Sequence, residues 1–439
     1  MALFLTTRPH PVDIHDSFQD ASIIELTPKD HDIRRYVEGR LSEDYRFQRI
    51  QQRSTGLKDQ TVSKIVDSAV GMYEKPPSFN ECYLLLHRFL LAKFNVEYVV
   101  EFTTAREIKQ ALGELSIPET ASIDASNPER ENERRMDEVY SRIVCSIHTR
   151  PRGNQKYVFR ALSWIGYATR TLTIQELLVA ISVEANQYQL DESDMIRFED
   201  LLDICNGLVI ADGEDVRLVH SSVRNYLDRH QVIPEDAKET YRAIACSTYL
   251  SFDIFKEQRP SQDPDTSKGS LSFLHYAANN LAFHLSKVGC RHYPETTSAV
   301  MELLENKGQR RSYCRANDEF RGQLDIPPLN LACVIGYEDA VRTLLEGGNI
   351  DVNAKDSSTG LTSLSFAVVM EYAPVVKRLL GDDRVDRDCR DNSGATPLWL
   401  AVICKNTEIV RLLLENGVEL NATVDIVSTT QAKRSVIND

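Results

Sequence analysis

Toward the C-terminal end of the chain, chemically equivalent residues recur at steps of 35 and then 34: Leu329, Leu364 and Leu398; Ala332, Ala367 and Ala401; Leu345, Leu380 and Leu414. The period divides this region into segments 326–360, 361–394 and 395–425. A spacing this long and this regular marks a stack of supersecondary units. Each unit is too small to bury its own apolar face and does so only against its neighbours. No other feature narrows the fold as far, because it excludes a single closed core for this part of the chain.

The residue types fit a unit of two short helices and a turn. Val341, Leu344 and Leu345 share one helical face, as do Val376, Leu379 and Leu380, and then Val410, Leu413 and Leu414. The recurring alanines are small where two helices must approach closely. Thr396-Pro397-Leu398 opens a helix, since a first-turn N–H has no intrahelical partner for proline to remove. Gly417 suits a left-handed position after a helix. The turn-rich strings Asp356–Gly360 and Asp391–Gly394 predict hairpins between units.

On these residues the region resembles the ankyrin-repeat family over about 100 residues. The resemblance implies a helical solenoid that holds protein partners on its hairpin face. It makes Asp356, Ser358, Asn392 and Ser393, at the predicted hairpin tips, the candidate partner-binding residues, although all four are equally good turn formers. There are departures from the family pattern. The glycine that ends the first helix is present as Gly336 but replaced by Glu371 and Lys405. The histidine of T-P-L-H gives way to Asn330, Ser365 and Trp399.

Upstream, Tyr157–Ala168 carries Phe159, Leu162 and Ile165 at helical spacing. Thr173 opens a second helix, and Glu176 three residues on completes a capping box. Met195–Cys205 predicts a third helix. Two strand-like runs follow, Leu208–Ala211 and Val216–Val219, joined by a turn at Asp212-Gly213. A last helix is expected over His220–Leu227. Helices followed by a hairpin wing describe a winged helix.

The strings ALSWIGYATRTLTIQELLVAI, DICNGLVI and VRLVHSSVRNYL resemble the winged-helix segment of fungal NACHT–ankyrin proteins of the STAND, or NLR-like, kind. FLHYAANNLAFHL resembles the helical segment before the ankyrins of that family. LFLTTRPHPVDIHDSF, with ELTPKDHDIRRYVEGRL, resembles the last strand and helical lid of its ATPase. These strings occur in the family's order along nearly the whole chain. The resemblance implies a signalling switch in which the ATPase is the motor and the repeats are the sensor.

The motor's chemistry is missing from the sequence. A NACHT ATPase needs G-x-x-x-x-G-K-[ST], whose backbone N–H groups and lysine cradle phosphates. No such string occurs, and Gly347-Gly348 lies in a repeat. Arg8 is read as a strand-end residue. No G-x-S-x-G nucleophile elbow is present either. The chain is therefore expected to be no enzyme and to hold no nucleotide or other cofactor, and no catalytic residue is assigned. It starts where the ATPase would be ending, so the alternative is a fragment of an ATP-dependent signalling switch whose P-loop lies upstream. One stretch of the lid is odd. Ile65–Met72 and Phe89–Phe94 would form one amphipathic helix if Tyr73–Arg88, with its helix-breaking Pro76-Pro77, were taken out. That stretch is read as an unspliced intron carried into the coding sequence, with a real loop as the alternative.

A winged helix also raises DNA binding as an alternative. The expected recognition helix, His220–His230, carries only Arg224, Arg229 and two histidines beside an acidic wing of Asp212, Glu214 and Asp215. The net charge of −14 repels phosphate backbones and anionic lipid. Nucleic acid and membrane are thus not expected as partners. Nine singly spaced cysteines without a C-x-x-C pair argue against a disulfide framework or zinc knuckle and place most of them in the core. His284, Cys290 and His292 lie close together without zinc-site spacing, so no metal is assigned. The charged run Asn127–Arg135 reads as a loop leading into a solvated helix face. The N-terminus lacks a secretory pattern and no run of about 18 apolar residues occurs, which points to a soluble, cytoplasmic chain.

The expected fold is mainly α. Its parts are a NACHT-type remnant over 1–115 (73–88 the insert), a linker over 116–155, a winged helix over 156–232, a helical linker over 233–317, ankyrin repeats over 318–425 and a tail over 426–439. The expected function is a non-catalytic interaction scaffold, the sensor half of a NACHT-type signalling protein.

Overall fold

The structure, a computed structural model, describes residues 30–70, 81–115, 128–256, 269–288, 293–318, 320 and 325–419. The string 3–18 with Arg8, residues 73–80 of the odd stretch, Cys290, His292 and the tail lie outside the described residues. The first helices are α1 (Asp30–Glu43), α2 (Tyr45–Gln51), α3 (Leu57–Val70), α4 (Glu81–Val100), α5 (Ala105–Glu114) and α6 (Pro128–Thr149). The winged-helix region holds α7 (Arg152–Tyr167), β1 (Leu172–Thr173), α8 (Ile174–Ser182), α9 (Phe198–Ile204), β2 (Val209–Asp212), β3 (Asp215–Leu218) and α10 (Ser221–Arg229). Then come α11 (Glu235–Leu250), α12 (Leu274–Val288), α13 (Pro294–Glu305) and α14 (Lys307–Ala316). The repeats supply α15 (Pro328–Ile335) with α16 (Glu338–Glu346), α17 (Ser363–Val369) with α18 (Ala373–Leu380), and α19 (Pro397–Ile403) with α20 (Thr407–Glu415). The fold is mainly α, as expected. No described helix is long and apolar enough to cross a membrane.

The chain divides into two compact units. The first holds residues up to Gln155 with Leu202–Val209 and Val219–Arg229; the second holds Lys156–Leu201, Ile210–Leu218 and His230 onward. The division runs through the winged-helix region rather than around it. The reason lies in α10. Ser222 bonds the Tyr140 hydroxyl at 2.7 Å, Tyr226 packs on the Tyr140 ring, and Arg229 pairs with Asp137 at 2.7 Å, all on α6.

In the first unit, Ile33, Val37 and Leu41 of α1 pack with Ile65 and Ala69 of α3, Ala92, Val96 and Val99 of α4, and Ile108 and Leu112 of α5. The spacing of three and four residues within each helix makes one face apolar. A full capping box, Thr104 with Glu107, starts α5. The charged run expected to open as a loop is instead helical from Pro128, and Arg135 is buried. Residues 81–88 of the odd stretch form the first turns of α4. The Arg88 guanidinium pairs with Asp30, and its Nε donates to the Ala69 carbonyl at 3.3 Å.

In the second unit, Thr173 caps α8 with the expected Glu176 box. The expected strands appear shifted by a residue at each end, as β2 and β3, and Gly213 takes the left-handed conformation (φ 67°) their tight turn requires. A strand the sequence reading missed, β1, pairs antiparallel with β3 through Leu172 and Val216, giving the order β1-β3-β2. At two residues it is too short to leave a periodic signal. The expected third helix is shorter than its apolar pattern, α9 alone. The expected linker is densely packed helix: Trp164 of α7 is fully buried against Phe273, Tyr276 and His284. The helix pair α13–α14 then meets the first repeat, where the Thr297 and Tyr337 hydroxyls bond at 2.9 Å and Arg310 Nε donates to the Ile326 carbonyl at 3.2 Å.

Candidate partner-binding surface

Each repeat follows from local rules. Proline opens α15 and α19 in the first turn, and Thr362 and Thr396 cap α17 and α19 by accepting from the backbone N–H three residues on. Ala332, Ala367 and Ala401 are 0% exposed, which confirms close helix approach. All three first helices end left-handed. Gly336 does so at φ 73°, and Glu371 and Lys405 do so at φ 60° and 59° despite their side chains. Gly417 takes the left-handed position expected of it (φ 77°).

The hairpins are built on two aspartates. Asp356 Oδ2 accepts from the Ser358 hydroxyl (2.7 Å) and from the Thr359 N–H and hydroxyl (both 2.6 Å). Asp391 Oδ1 accepts from the Ser393 N–H (2.8 Å) and hydroxyl (2.7 Å) and from the Ala395 N–H (2.8 Å). Gly360 and Gly394 close the turns at φ 74° and 83°. Successive hairpins are then laced together. The Asn392 N–H donates to the Thr359 carbonyl (3.0 Å), Asn392 Nδ2 to the Ser358 carbonyl (3.1 Å), and Lys355 Nζ to the Arg390 carbonyl (2.7 Å). A Cβ at Gly360 would collide with the Asn392 side chain, so the close approach itself demands glycine there.

The structure thus brings the four predicted tip residues together but gives them different roles. Asp356 is 2% exposed, and its carboxylate accepts from its own turn. Ser393 is half-buried and spends its hydroxyl on Asp391. Ser358 and Asn392 are exposed and adjacent. The sequence reading passed over Lys355 and Arg390, which are exposed on the same edge one repeat apart. Their spacing of 35, the repeat period itself, was the available signal.

The position of the missing histidine is also clear. Asn330 is fully buried, and its Nδ2 donates to the Ala354 and Leu361 carbonyls (both 3.1 Å), while its Oδ1 accepts from the Ser363 hydroxyl (2.8 Å). One amide thereby ties the first repeat to the second.

Other candidate sites are weaker. On α10, Arg229 is committed to Glu133 and Asp137, and Arg224 lies 4.0 Å from Asp228. A cavity of about 220 Å³ in the first unit is lined by Tyr36, Phe89, Leu90, Lys93, Val219 and His220. His220 Nδ1 there accepts from the Ser222 N–H at 3.1 Å. Of the cysteines, Cys205, Cys246, Cys314 and Cys333 are buried and Cys145 is exposed, all as free thiols. Among the described residues no group of three metal-ligating side chains converges.

Two segments of the chain match known families. Residues 329–424 match ankyrin repeats in three copies, and residues 146–238 match the winged helix domain of GPI inositol-deacylase. The chain is 32% identical over 88 residues to Rabankyrin-5 of Mus musculus and 36% identical over 120 residues to the Neurogenic locus Notch protein of Drosophila melanogaster. Those stretches are 20% and 24% of this chain but only 7% and 4% of the relatives, so the chain corresponds to under a tenth of their length. Ankyrin repeats and a NACHT-related winged helix are therefore present, and repeats of this kind imply protein partners.

Proposed function

We propose that the chain is a non-catalytic protein-interaction scaffold, the sensor half of a NACHT-type signalling protein acting in the cytoplasm. One observation carries this reading: three stacked repeats present a laced edge on which Lys355, Ser358, Arg390 and Asn392 are exposed side by side. The winged helix of a NACHT-related kind upstream supports the signalling context. The lack of a G-x-x-x-x-G-K-[ST] string in the sequence supports a role without ATP turnover by this chain. The ion pairs that occupy Arg229 speak against the DNA-binding alternative.

The test is affinity capture on the whole chain, wild type beside a Ser358→Arg/Asn392→Arg variant, with captured proteins identified by mass spectrometry. Both side chains are exposed, so the variant keeps its helical circular dichroism. Loss of a defined partner from the variant alone is the expected result. An identical set on both proteins refutes the edge as the binding surface, and magnesium-dependent ATP turnover by the purified chain refutes the non-catalytic reading. Sequencing of transcripts decides the odd stretch: retention of all codons for Tyr73–Arg88 makes it a real part of the protein.

A further inference from the structure

A closed chain of polar contacts in the second unit runs from the winged helix through two later helices and back. The Thr169 N–H, just past α7, donates to the Tyr276 hydroxyl on α12 at 3.2 Å. Tyr276 Oη lies 3.1 Å from His284 Nε2. The tyrosine gives its own proton to Nε2, because the imidazole keeps its one proton on Nδ1, the nitrogen turned toward a carboxylate that can only accept. That nitrogen faces Glu239 Oε2 of α11 at 3.6 Å. The other Glu239 oxygen pairs with Arg242, and Arg242 donates to the Ser163 carbonyl (2.9 Å) and hydroxyl (3.1 Å), back on α7. The His284 and Arg242 side chains are 0% exposed, and the edge of Trp164 packs on the His284 ring.

We propose that His284 is a proton-sensitive latch: neutral, it holds α11 and α12 on α7; protonated, it releases them. The direction of the hydrogen bonds makes the argument. A proton on Nε2 turns the acceptor of the tyrosine bond into a donor. Tyr276 must then turn its proton away, while its oxygen already accepts from the Thr169 N–H (3.2 Å) and hydroxyl (3.4 Å). The charge balance fails as well. One carboxylate, Glu239, now faces two cations, His284 and Arg242, whose side chains are both closed to water, and uncompensated buried charge is costly.

The groups around the ring are few. From α11 come Glu239 and Arg242, with Cys246 acting electrostatically on Tyr276. From beyond α7 comes Arg170, 5.1 Å from the centre of the Tyr276 ring and paired with Glu176. From α7 come Trp164 and Ser163, which do not titrate. Burial holds the imidazole below its ordinary range, Glu239 opposes that and Arg242 adds to it. The folded-state value is therefore depressed for a base: the latch is closed at neutral pH and opens as pH falls through the imidazole's titration.

Hydrogen exchange of the full chain, corrected for intrinsic rates and followed from pH 8 downward, reads this directly. In the wild type, protection in 163–170 and α12 is expected to fall at least tenfold on acidification while α15–α18 keep theirs. His284→Gln accepts from Tyr276 and donates toward Glu239 without titrating, so it keeps its protection. Tyr276→Phe removes the pivot, so these segments are already less protected at pH 8 and no longer respond to pH. The same acid response in His284→Gln, loss of α15–α18 together with α12, or no local change in the wild type overturns the proposal. Should His284→Gln not fold, Tyr276→Phe decides: an acid response equal to that of the wild type overturns it.

Discussion

The ends of the three first helices make a controlled experiment within one molecule. The chain turns left-handed at Gly336, Glu371 and Lys405, with φ of 73°, 60° and 59°. A side chain in that conformation costs about 1–2 kcal/mol. At Gly336 there is a second cost. A Cβ built on its backbone would lie 2.5 Å from Cε2 of the Tyr372 ring, which must shift to admit it. Overpacking of this kind costs about 1–3 kcal/mol. Against both stands a gain of about 0.4–1 kcal/mol, because alanine restricts the unfolded chain. Gly336→Ala should therefore destabilise the stack by about 1–5 kcal/mol. The reverse changes should do little. Glu371→Gly and Lys405→Gly relieve the left-handed cost of about 1–2 kcal/mol but return about 0.4–1 kcal/mol in unfolded-state entropy. Glu371→Gly also loses an exposed contact from Asn406 Nδ2 at 3.2 Å. Urea unfolding followed by circular dichroism, with hydrogen exchange in α15–α16 to localise the change, measures all three. The reasoning fails if Gly336→Ala is neutral, or if Glu371→Gly costs as much as Gly336→Ala.

Three further expectations rest on single contacts. Asn330→Ala takes the amide from the Ala354 and Leu361 carbonyls and the Ser363 hydroxyl; Leu361 keeps the Asp356 N–H (3.0 Å) and Ser363 the Val352 carbonyl (3.4 Å), so the change should cost about 1–3 kcal/mol in urea unfolding, as for one orphaned group. Thr173→Ala removes both the cap and the box of α8 and should cost about 1 kcal/mol, with the loss visible as faster exchange in the first turn of that helix. Burial pushes the Glu184 carboxyl up, but bonds from Arg160 (both 2.8 Å) and Lys156 outweigh it and hold the group below its ordinary range. Its stabilising effect is then complete above the unfolded carboxylate range, about pH 4.3, and is lost as pH falls through the lower folded value. The stability difference between wild type and Glu184→Gln should accordingly shrink on acidification, and a difference that grows would contradict the pairing.

Much of this architecture could be read from the sequence because its signals are local or periodic. The 34–35 residue period located all three helix pairs, and the Thr173–Glu176 box and the Asp212-Gly213 turn located α8 and the wing. What escaped depends on contacts between distant residues. β1 exists only because Leu172 finds Val216, and the helices of 233–317 join a common core through Trp164, which no window around residue 164 reveals. The candidate surface divided in the same way. Turn chemistry identified Asp356 and Asn392 equally well, yet only the fold distinguishes a carboxylate folded into its own turn from an amide lying on the surface between two hairpins.

The departures from the repeat pattern are not evenly spread, and that predicts where the stack loosens first. At the position of the missing histidine, Asn330 makes two buried bonds into the next repeat, whereas Trp399, its counterpart in the third, has an Nε1 with no hydrogen-bond partner. The apolar faces follow the same gradient. Val368 and Leu380 of the second repeat are 0% and 2% exposed, but their counterparts Val402 and Leu414 are 52% and 43% exposed. Full burial of such a side chain is worth about 1.5–3 kcal/mol, so each of the two forgoes about 1 kcal/mol that its counterpart gains. The first repeat, by contrast, is tied to α13 and α14 by the Thr297–Tyr337 and Arg310–Ile326 bonds. Opening should therefore start at α20 and α19, with amide protection there tenfold or more below that of α17 and α18. Uniform protection across the three repeats would show that the stack opens as one unit, and that the bonds made by Asn330 stiffen all of it rather than its first joint.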